Sequence, residues 1–370
     1  MKQTDRRNWL KTIALGSSLT LLGGTEVFPS FKKKGHFIES GPIRLNSNEN
    51  PYGPSAGVRE AIMHQLDVAC RYPSAYLAKL TREIANKEEI DPSCVVITGG
   101  STEGLKAAGL TFGLHGREII AADPTFQALL TYGEYFGAHV HRVPLTPNFT
   151  HDLEAMEKRI TSNTGLIFIC NPNNPTGTLL PEAALKDFIL SSEQRAVIFS
   201  DEAYYDYIEL PEYPSMIDFV KQGRNVVVSK TFSKVYGLAG MRIGYLIARP
   251  DIATRIKKSI MANTNSLAIV AASTALTDAE FYKFSVSKNL EAKRLLYEGF
   301  EAMNVPYIPS HTNFVFFKSG IEVGTLNRQM LELGVQIGRP FPPLTNWARV
   351  STGIIEDIPV FISSLEKLIN

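Results

Sequence analysis

Two Ser-Lys pairs stand within six residues, Ser229-Lys230 and Ser233-Lys234, and Arg242 follows the second lysine by eight positions. An amine set among hydroxyls at the end of an apolar run, with a guanidinium close by, suits capture of a carbonyl compound that also carries an anionic group. Other stretches supply complementary chemistry. "SDEAYYD" offers Asp201, a carboxylate able to keep a ring nitrogen protonated, and "NPNNPTG" offers Asn174, whose amide can donate to a ring hydroxyl. "GGSTEG" opens a helix whose free N–H groups favour a phosphate. Together these are the needs of pyridoxal phosphate: an amine for its aldehyde, fixed donors for its phosphate and an acid beside its pyridine nitrogen. On these residues alone, either lysine can supply the amine.

The elements that must position them read as α/β. Short β-rich runs recur at Val95–Thr98, Glu118–Ala121, His139–Val143, Gly165–Cys170, Ala196–Ser200, Asn225–Ser229 and Ile243–Ala248, with helical stretches between, such as Ser101–Phe112, Asp152–Ile160 and Pro181–Leu190. Consecutive apolar residues, as in "VVVS" and "LIFI", predict strands buried on both faces of a mostly parallel seven-stranded sheet. The polar clusters all follow the carboxyl ends of these runs, where an open parallel sheet places its ligand crevice. Five loops thus point at one place. Beyond residue 250 the pattern changes to long helices, Asp251–Asn263 and Asp278–Met303, then short strands near "HTNFVFF" and "ARVST" and a closing helix Glu356–Leu368. This predicts a large domain over 61–250, a smaller α+β domain over 251–370, and an arm over 36–60 joining the smaller one.

Composition excludes several classes. A 44% hydrophobic, 20% charged chain with net charge +1 is neither disordered nor a membrane bundle, and gives no case for nucleic acid. The basic excess sits in residues 1–34, which hold seven Lys or Arg against two acids. There Arg6-Arg7 precede an apolar run, Ile13–Leu22, too short to span a bilayer but suited to an export signal. "RRNWLK" resembles a twin-arginine signal, which carries folded proteins out of the cytoplasm; an uncleaved amphipathic terminus on a cytoplasmic protein is the alternative. Cys70, Cys94 and Cys170 are widely spaced and indicate neither a metal site nor a disulfide framework.

Nine motifs in order, "RLNSNENPYGPS", "RYPSAY", "GGSTEGL", "DPTF", "NPNNPTGT", "SDEAYYDY", "SKTFSKVYGLAGMRIGY", "HTNFVFF" and "ARVSTG", resemble fold-type I pyridoxal-phosphate-dependent aminotransferases, most closely the histidinol-phosphate aminotransferase branch. The resemblance covers about residues 40–370. It implies a three-layer large domain with a smaller α+β domain, as in aspartate aminotransferase, and it chooses between the lysines. The family keeps an arginine eight residues after its Schiff-base lysine; Lys234 and Arg242 meet that interval, whereas position 238 is Leu. Lys230 is left as a strand-end charge, solvated or a minor neighbour of the phosphate.

By the same match Ser101, Thr102, Thr231, Ser233 and Arg242 would hold the cofactor phosphate. Phe126 would stack on the ring, and Asn174 with Tyr204 would bond its hydroxyl. Tyr72 would reach the phosphate of a neighbouring subunit, implying a homodimer with shared sites. Arg349 would bind the substrate α-carboxylate, supported by Asn313. Arg339 stands where the histidinol-phosphate enzymes keep a base for the substrate phosphate, although the prolines after it depart from their pattern. Tyr52 would close over the site. The implied reaction is ping-pong transfer of an amino group between an amino acid or amine and a 2-oxo acid, with Lys234 moving the proton. A decarboxylase of a phosphorylated amino acid remains the alternative within the fold, and a non-catalytic cofactor- or amine-binding protein the alternative outside it. Since histidine biosynthesis is cytoplasmic, an exported protein is a poor candidate for histidinol phosphate itself, which leaves the amino donor open.

Overall fold

The computed structural model describes residues 41–369. The twin-arginine-like segment lies outside the described residues. After a short strand β1 (Ile43–Leu45), the large sheet is built from β2 (Val95–Thr98), β3 (Glu118–Asp123), β4 (His139–Pro144), β5 (Thr164–Cys170), β6 (Val197–Asp201), β7 (Val226–Thr231) and β8 (Gly244–Ala248). Their spatial order is β2-β8-β7-β6-β5-β3-β4, with β8 alone running against its neighbours. The seven expected strands thus form the expected sheet.

Period-two alternation fills both faces. From β5, Leu166 and Phe168 enter one core with the helices Ser101–Gly113, Ala128–Tyr135 and Pro250–Lys257. Ile167 and Ile169 enter the other, with the helices Ser74–Glu88, Glu182–Ser192 and Ser266–Thr277. Strands apolar at every position are therefore needed, since each successive side chain meets a different helical layer. A third core gathers the helix Ala279–Ala302, the helix Asp357–Ile369 and the strands β9 (Tyr307–Ile308), β10 (Phe314–Lys318), β11 (Val335–Ile337) and β12 (Trp347–Ser351). There β9, β10 and β12 form an antiparallel sheet, and β1 pairs in parallel with β11, which brings the chain around residues 46–50 to the carboxyl ends of the large sheet.

Two helical expectations need correction, and one helix was not expected. The segment 152–160 is helical only over Leu153–Glu157; beyond it Arg159 and Ile160 donate to Met156 and Glu157, the tighter i to i−3 spacing. The helix expected over 251–263 ends at Lys257, where Ser259 and Ile260 close the same kind of turn. A helix over Ser266–Thr277 then starts afresh, with the Asn265 side chain accepting from the Ala268 N–H at 2.8 Å. Its alanine-rich sequence has no polar stripe because it packs against the helices Ala56–Gln65 and Ser74–Glu88 as well as the sheet. Among the described residues no helix is long and apolar enough to cross a membrane.

Candidate active site

At the carboxyl ends of β5, β6 and β7 the loops enclose a cavity of about 430 Å³. Its wall brings together Ser101, Thr102, Phe126, Asn174, Asp201, Tyr204, Ser233, Lys234, Arg242 and Arg349, ten of the residues singled out from sequence. They arrive from five loops of the large sheet and from β12 across the crevice, so the convergence is a property of topology.

Lys234 follows β7 and donates from Nζ to the Asn48 carbonyl at 2.9 Å. Burial, reinforced by the Arg349 charge, pushes its amine down to about 7; Glu49 and Asp201 oppose the shift without cancelling it. At neutral pH a large fraction of this amine is unprotonated and nucleophilic. Asp201 ends β6 and is 2% exposed. Burial pushes its carboxyl up to about 7, outweighing the Ala203 N–H and the Lys234 charge, and its Oδ1 has no hydrogen-bond partner among the described residues. A buried acceptor without a donor is costly, and this one sits on a cavity wall, where a bound N–H would satisfy it.

The Tyr204 hydroxyl receives hydrogen bonds from Asn48 Nδ2 at 3.0 Å and Asn174 Nδ2 at 3.4 Å. Its own proton is thereby free to point at an acceptor in the cavity. Opposite, the helix Ser101–Gly113 begins with no side-chain cap; the Glu103 N–H reaches the Gly100 carbonyl, whereas the Ser101 and Thr102 N–H groups meet no acceptor among the described residues. Gly100, at φ +83°, makes this possible: a Cβ there would lie 2.4 Å from Arg242 Nη2. Arg242 Nη1 reaches Ser233 Oγ at 3.4 Å and the Ala239 carbonyl at 2.7 Å, leaving the other edge of its guanidinium beside the helix start. Ser101, Thr102, Ser233, Arg242 and these N–H groups make a cradle for a dianion.

Arg349, 7% exposed, lies between two aromatic rings, its Cζ 5.3 Å from the Phe314 centroid and 4.9 Å from that of Phe341. Nη1 donates to Asn174 Oδ1 at 2.7 Å and Nη2 to the Asn46 carbonyl at 2.9 Å, while Nε has no partner among the described residues. Burial pulls this guanidinium down to about 10, so it is charged and under-solvated, ready for a carboxylate. Asn313 donates to the Asn48 and Glu49 carbonyls at 2.9 and 3.3 Å and fixes the loop that faces Lys234.

Other expected residues stand further off. Thr231 is not on the cavity wall; its Oγ1 accepts from the Ser233 N–H at 3.1 Å and so orients that loop. Tyr52 lines a smaller neighbouring cleft, edge-on to Phe284 at 5.1 Å, and accepts from the Ile355 N–H. Arg339 is exposed and not on the cavity wall; its Cζ lies 4.5 Å from the centroid of the same Phe341 ring. Tyr72 is 92% exposed and away from its own chain's cavity. Lys230 is neither solvated nor beside the cradle: it is buried, 2.9 Å from Glu202 and 3.7 Å from the Tyr205 centroid.

Asn48 escaped sequence reading. At φ +54° it turns its carbonyl to Lys234 and its amide to Tyr204, while its N–H and Oδ1 both meet Ser351 Oγ. The signal was present in "NSNENPYG", but only the pairing of β1 with β11 shows where that arm lands. His151 was missed as well. Burial pulls it down to about 4, and with Thr125 it bonds Asn173, tying the loop of Phe126 to that of Asn174.

The unpaired Asp201 oxygen, the uncapped helix start and the depressed amine each fit a different part of pyridoxal 5'-phosphate: ring nitrogen, phosphate and aldehyde. Comparison with known proteins agrees. Residues 40–365 match the family profile described as aminotransferase class I and II. The chain is 38% identical over 333 residues to the histidinol-phosphate aminotransferase of Moorella thermoacetica (88% of this chain, 85% of that one). It is 36% identical over 330 residues to that of Caldicellulosiruptor saccharolyticus (88% and 92%). The crystal structure of histidinol-phosphate aminotransferase from Sinorhizobium meliloti in complex with pyridoxal-5'-phosphate superposes with a TM-score of 0.82 at 23% identity, covering 89% of this chain and 91% of that one. The chain belongs to the class I and II aminotransferases and is a pyridoxal-phosphate-dependent enzyme that moves an amino group from an amino donor to a 2-oxo acid.

Proposed function

We propose that the amino donor carries an anionic group that docks on Arg349, and that histidinol-phosphate-like or aromatic amino compounds are the donor class. The observation that carries this is the guanidinium of Arg349, desolvated beside Phe314 and Phe341 with Nε unpaired among the described residues, and a second cation, Arg339, whose Cζ also lies close to the Phe341 ring. Two arginines about one aromatic ring suit a donor with an anionic tail and a flat side chain.

Within this reading each residue has a task. Ser101, Thr102, Ser233 and Arg242 hold the cofactor phosphate, Thr231 orients Ser233, and Phe126 packs on the pyridine ring. Asp201 keeps the ring nitrogen protonated, and Asn174 and Tyr204 bond the ring hydroxyl. When bound, the cofactor supplies an aldehyde that bonds the donor's amine and a ring that accepts electron density from the donor's α-carbon. Lys234, with an amine titrating near neutrality, removes the proton from that α-carbon and holds it on Nζ until it is returned. Asn48 and Asn313 keep the arm's carbonyls facing Nζ, and Tyr52 closes the cleft beside it.

The test is a half-reaction screen. Holoenzyme is mixed with histidinol phosphate, phenylalanine, tyrosine, glutamate and simple amines, and conversion of the cofactor's visible absorbance to its amine form is followed. Conversion by anionic donors, weakened on Arg349→Gln, supports the proposal; release of carbon dioxide without net amino transfer overturns it in favour of a decarboxylase.

We further propose a homodimer in which Tyr72 completes the partner's phosphate cradle. Exposed Met63, Leu66 and Val68 precede it on the same stretch of chain, an apolar surface in need of cover. Mixing inactive Lys234→Ala with Tyr72→Ala should restore part of the activity through hybrid sites; no recovery after subunit exchange sinks this. The leader is proposed to export the folded holoenzyme, and an unchanged location on changing Arg6 and Arg7 to Lys removes that proposal.

A further inference from the structure

The strands whose carboxyl ends carry the active site have a second cavity at their amino ends. It measures about 260 Å³ and opens where β5, β6 and β7 begin, with Arg117, Arg195 and Arg255 in its wall. Nearby arginines are neutralised: Arg224 pairs with Glu193 at 3.1 Å and Arg249 with Asp251 at 2.7 Å. Among the described residues the three around the cavity meet no carboxylate.

Two of them are nevertheless held in place. Arg117 Nη2 donates to the Thr164 carbonyl at 2.8 Å, and Arg195 Nη2 to the Ile160 carbonyl at 2.9 Å. Each bond occupies one nitrogen of a five-donor fork and leaves the remaining donors free. Arg255 has its Cζ 4.7 Å from the Phe112 ring centroid, and its guanidinium makes no hydrogen bond among the described residues. Gly165 lets the first of them lie where it does, because a Cβ there would fall 2.0 Å from the Phe112 carbonyl oxygen and 3.1 Å from Arg117 Nε. The acid in the wall, Glu193, is already satisfied: Oε1 accepts from Arg224 and Gln194, and Oε2 accepts from the Asn225 N–H at 3.0 Å. The cavity therefore keeps a positive excess without a counter-charge of its own.

We propose that this cavity is a second ligand site, and that its ligand is a small multivalent oxyanion. Guanidinium forks match carboxylate and phosphate oxygens two at a time, and three of them around one cleft reward a molecule with at least two anionic groups. The volume falls below the roughly 300 Å³ at which pockets begin to take drug-sized ligands, so a molecule of few heavy atoms fits. A tricarboxylate and an inorganic pyrophosphate share that chemistry.

Calorimetric titration of the holoenzyme, whose phosphate cradle is already filled by cofactor, separates the two. One titration uses tricarballylate, the other inorganic pyrophosphate. Saturable binding of one or both, weakened at least about tenfold in Arg117→Gln/Arg195→Gln/Arg255→Gln, is the expected result. Because Arg117 and Arg195 also cap main-chain carbonyls, Arg255→Gln alone is the companion variant; it should fold normally and still weaken binding several-fold. Arg339→Gln, an exposed arginine outside this cavity, should leave binding unchanged. The proposal is overturned if neither anion binds the wild type, if Arg255→Gln binds as tightly as wild type, or if Arg339→Gln is the substitution that abolishes binding.

Discussion

Lys230 and Lys234 sit four residues apart, each preceded by serine, and their surroundings drive them in opposite directions. Lys230 points away from the crevice. Burial pulls its amine down, but Glu202 at 2.9 Å, with Asp206 and Glu88 nearby, more than reverses the effect and fixes the positive charge. Lys234 has a neutral carbonyl for its only described hydrogen-bond partner and Arg349 as a neighbour, and its amine falls to about 7. Identical dipeptides thus yield a structural cation and a titrating base. What separates them is which side of the sheet each faces, and whether the nearest charge is an acid or a base.

The largest expected effect tests the base. Lys234→Ala should cut turnover by more than about 10²–10⁴-fold, the range that a positioned acid–base group alone supplies. Cofactor should still bind, because the cradle and Asp201 are untouched, so equilibrium dialysis should recover it at near-stoichiometric levels. Turnover within tenfold of wild type would make the two lysines equivalent.

Lys230→Met tests the other half. Removing one partner of a buried pair strands Glu202, whose remaining donors are all neutral: Ser215 Oγ at 2.6 Å, the Met216 N–H at 2.7 Å and Ser200 Oγ at 3.4 Å. A loss of about 3–5 kcal/mol in unfolding free energy is expected, read from the denaturant midpoint, with cofactor affinity unchanged. Lowered cofactor affinity at unchanged stability would return Lys230 to the phosphate region. Glu202→Gln in the same chain should recover part of the stability, since it removes the stranded charge.

The sequence separates these lysines only through the family resemblance, by the interval to Arg242 that the family keeps. The environment of Lys230 was not legible. Glu202 stands beside Asp201 in "SDEAYYD", and in a strand adjacent residues face opposite sides, so one acid enters the crevice while its neighbour turns to the far layer. That inference needs the exact end of β6, the least readable feature of a strand. The sheet itself was readable because strands buried on both faces are apolar throughout. Asn48 was not, because its role comes from a left-handed turn in an arm anchored by β1 on β11, a contact spanning most of the chain. The helix Ser266–Thr277 hid for a related reason: enclosed on several sides, it shows no amphipathic period.

Asp201 extends the comparison to acids. Its carboxyl is raised to about 7 by burial, so in cofactor-free protein its contribution to stability is intact below the ordinary carboxylate range and lost as pH rises from about 4 to 7. Asp201→Asn should therefore be the more stable of the two cofactor-free proteins at pH 7.5, by on the order of 4 kcal/mol, with the gap closing near pH 4. Adding cofactor should invert the order, because only the carboxylate satisfies a protonated ring nitrogen. Thermal midpoints at the two pH values, with and without cofactor, check this; a wild type that is more stable in all four conditions would contradict the depiction of Asp201 as an acid awaiting a partner.

The smallest effect is a difference in labelling order. An amine reacts with an acylating reagent in its unprotonated form, and the fraction in that form at pH 7 is near one half for Lys234 against well under one in a thousand for an ordinary lysine near 10.4. Treating cofactor-free protein with limiting acetic anhydride and reading sites by mass spectrometry should show Lys234 modified ahead of exposed lysines such as Lys158, although it lies inside the cavity. Its labelling should climb through pH 7 and level off by about pH 8, while Lys230, paired with Glu202, stays unmodified throughout. Saturation with cofactor should remove the Lys234 signal. Labelling of Lys230 at a comparable rate would show that its ion pair opens easily, and the contrast between the two lysines would then be one of access instead of charge.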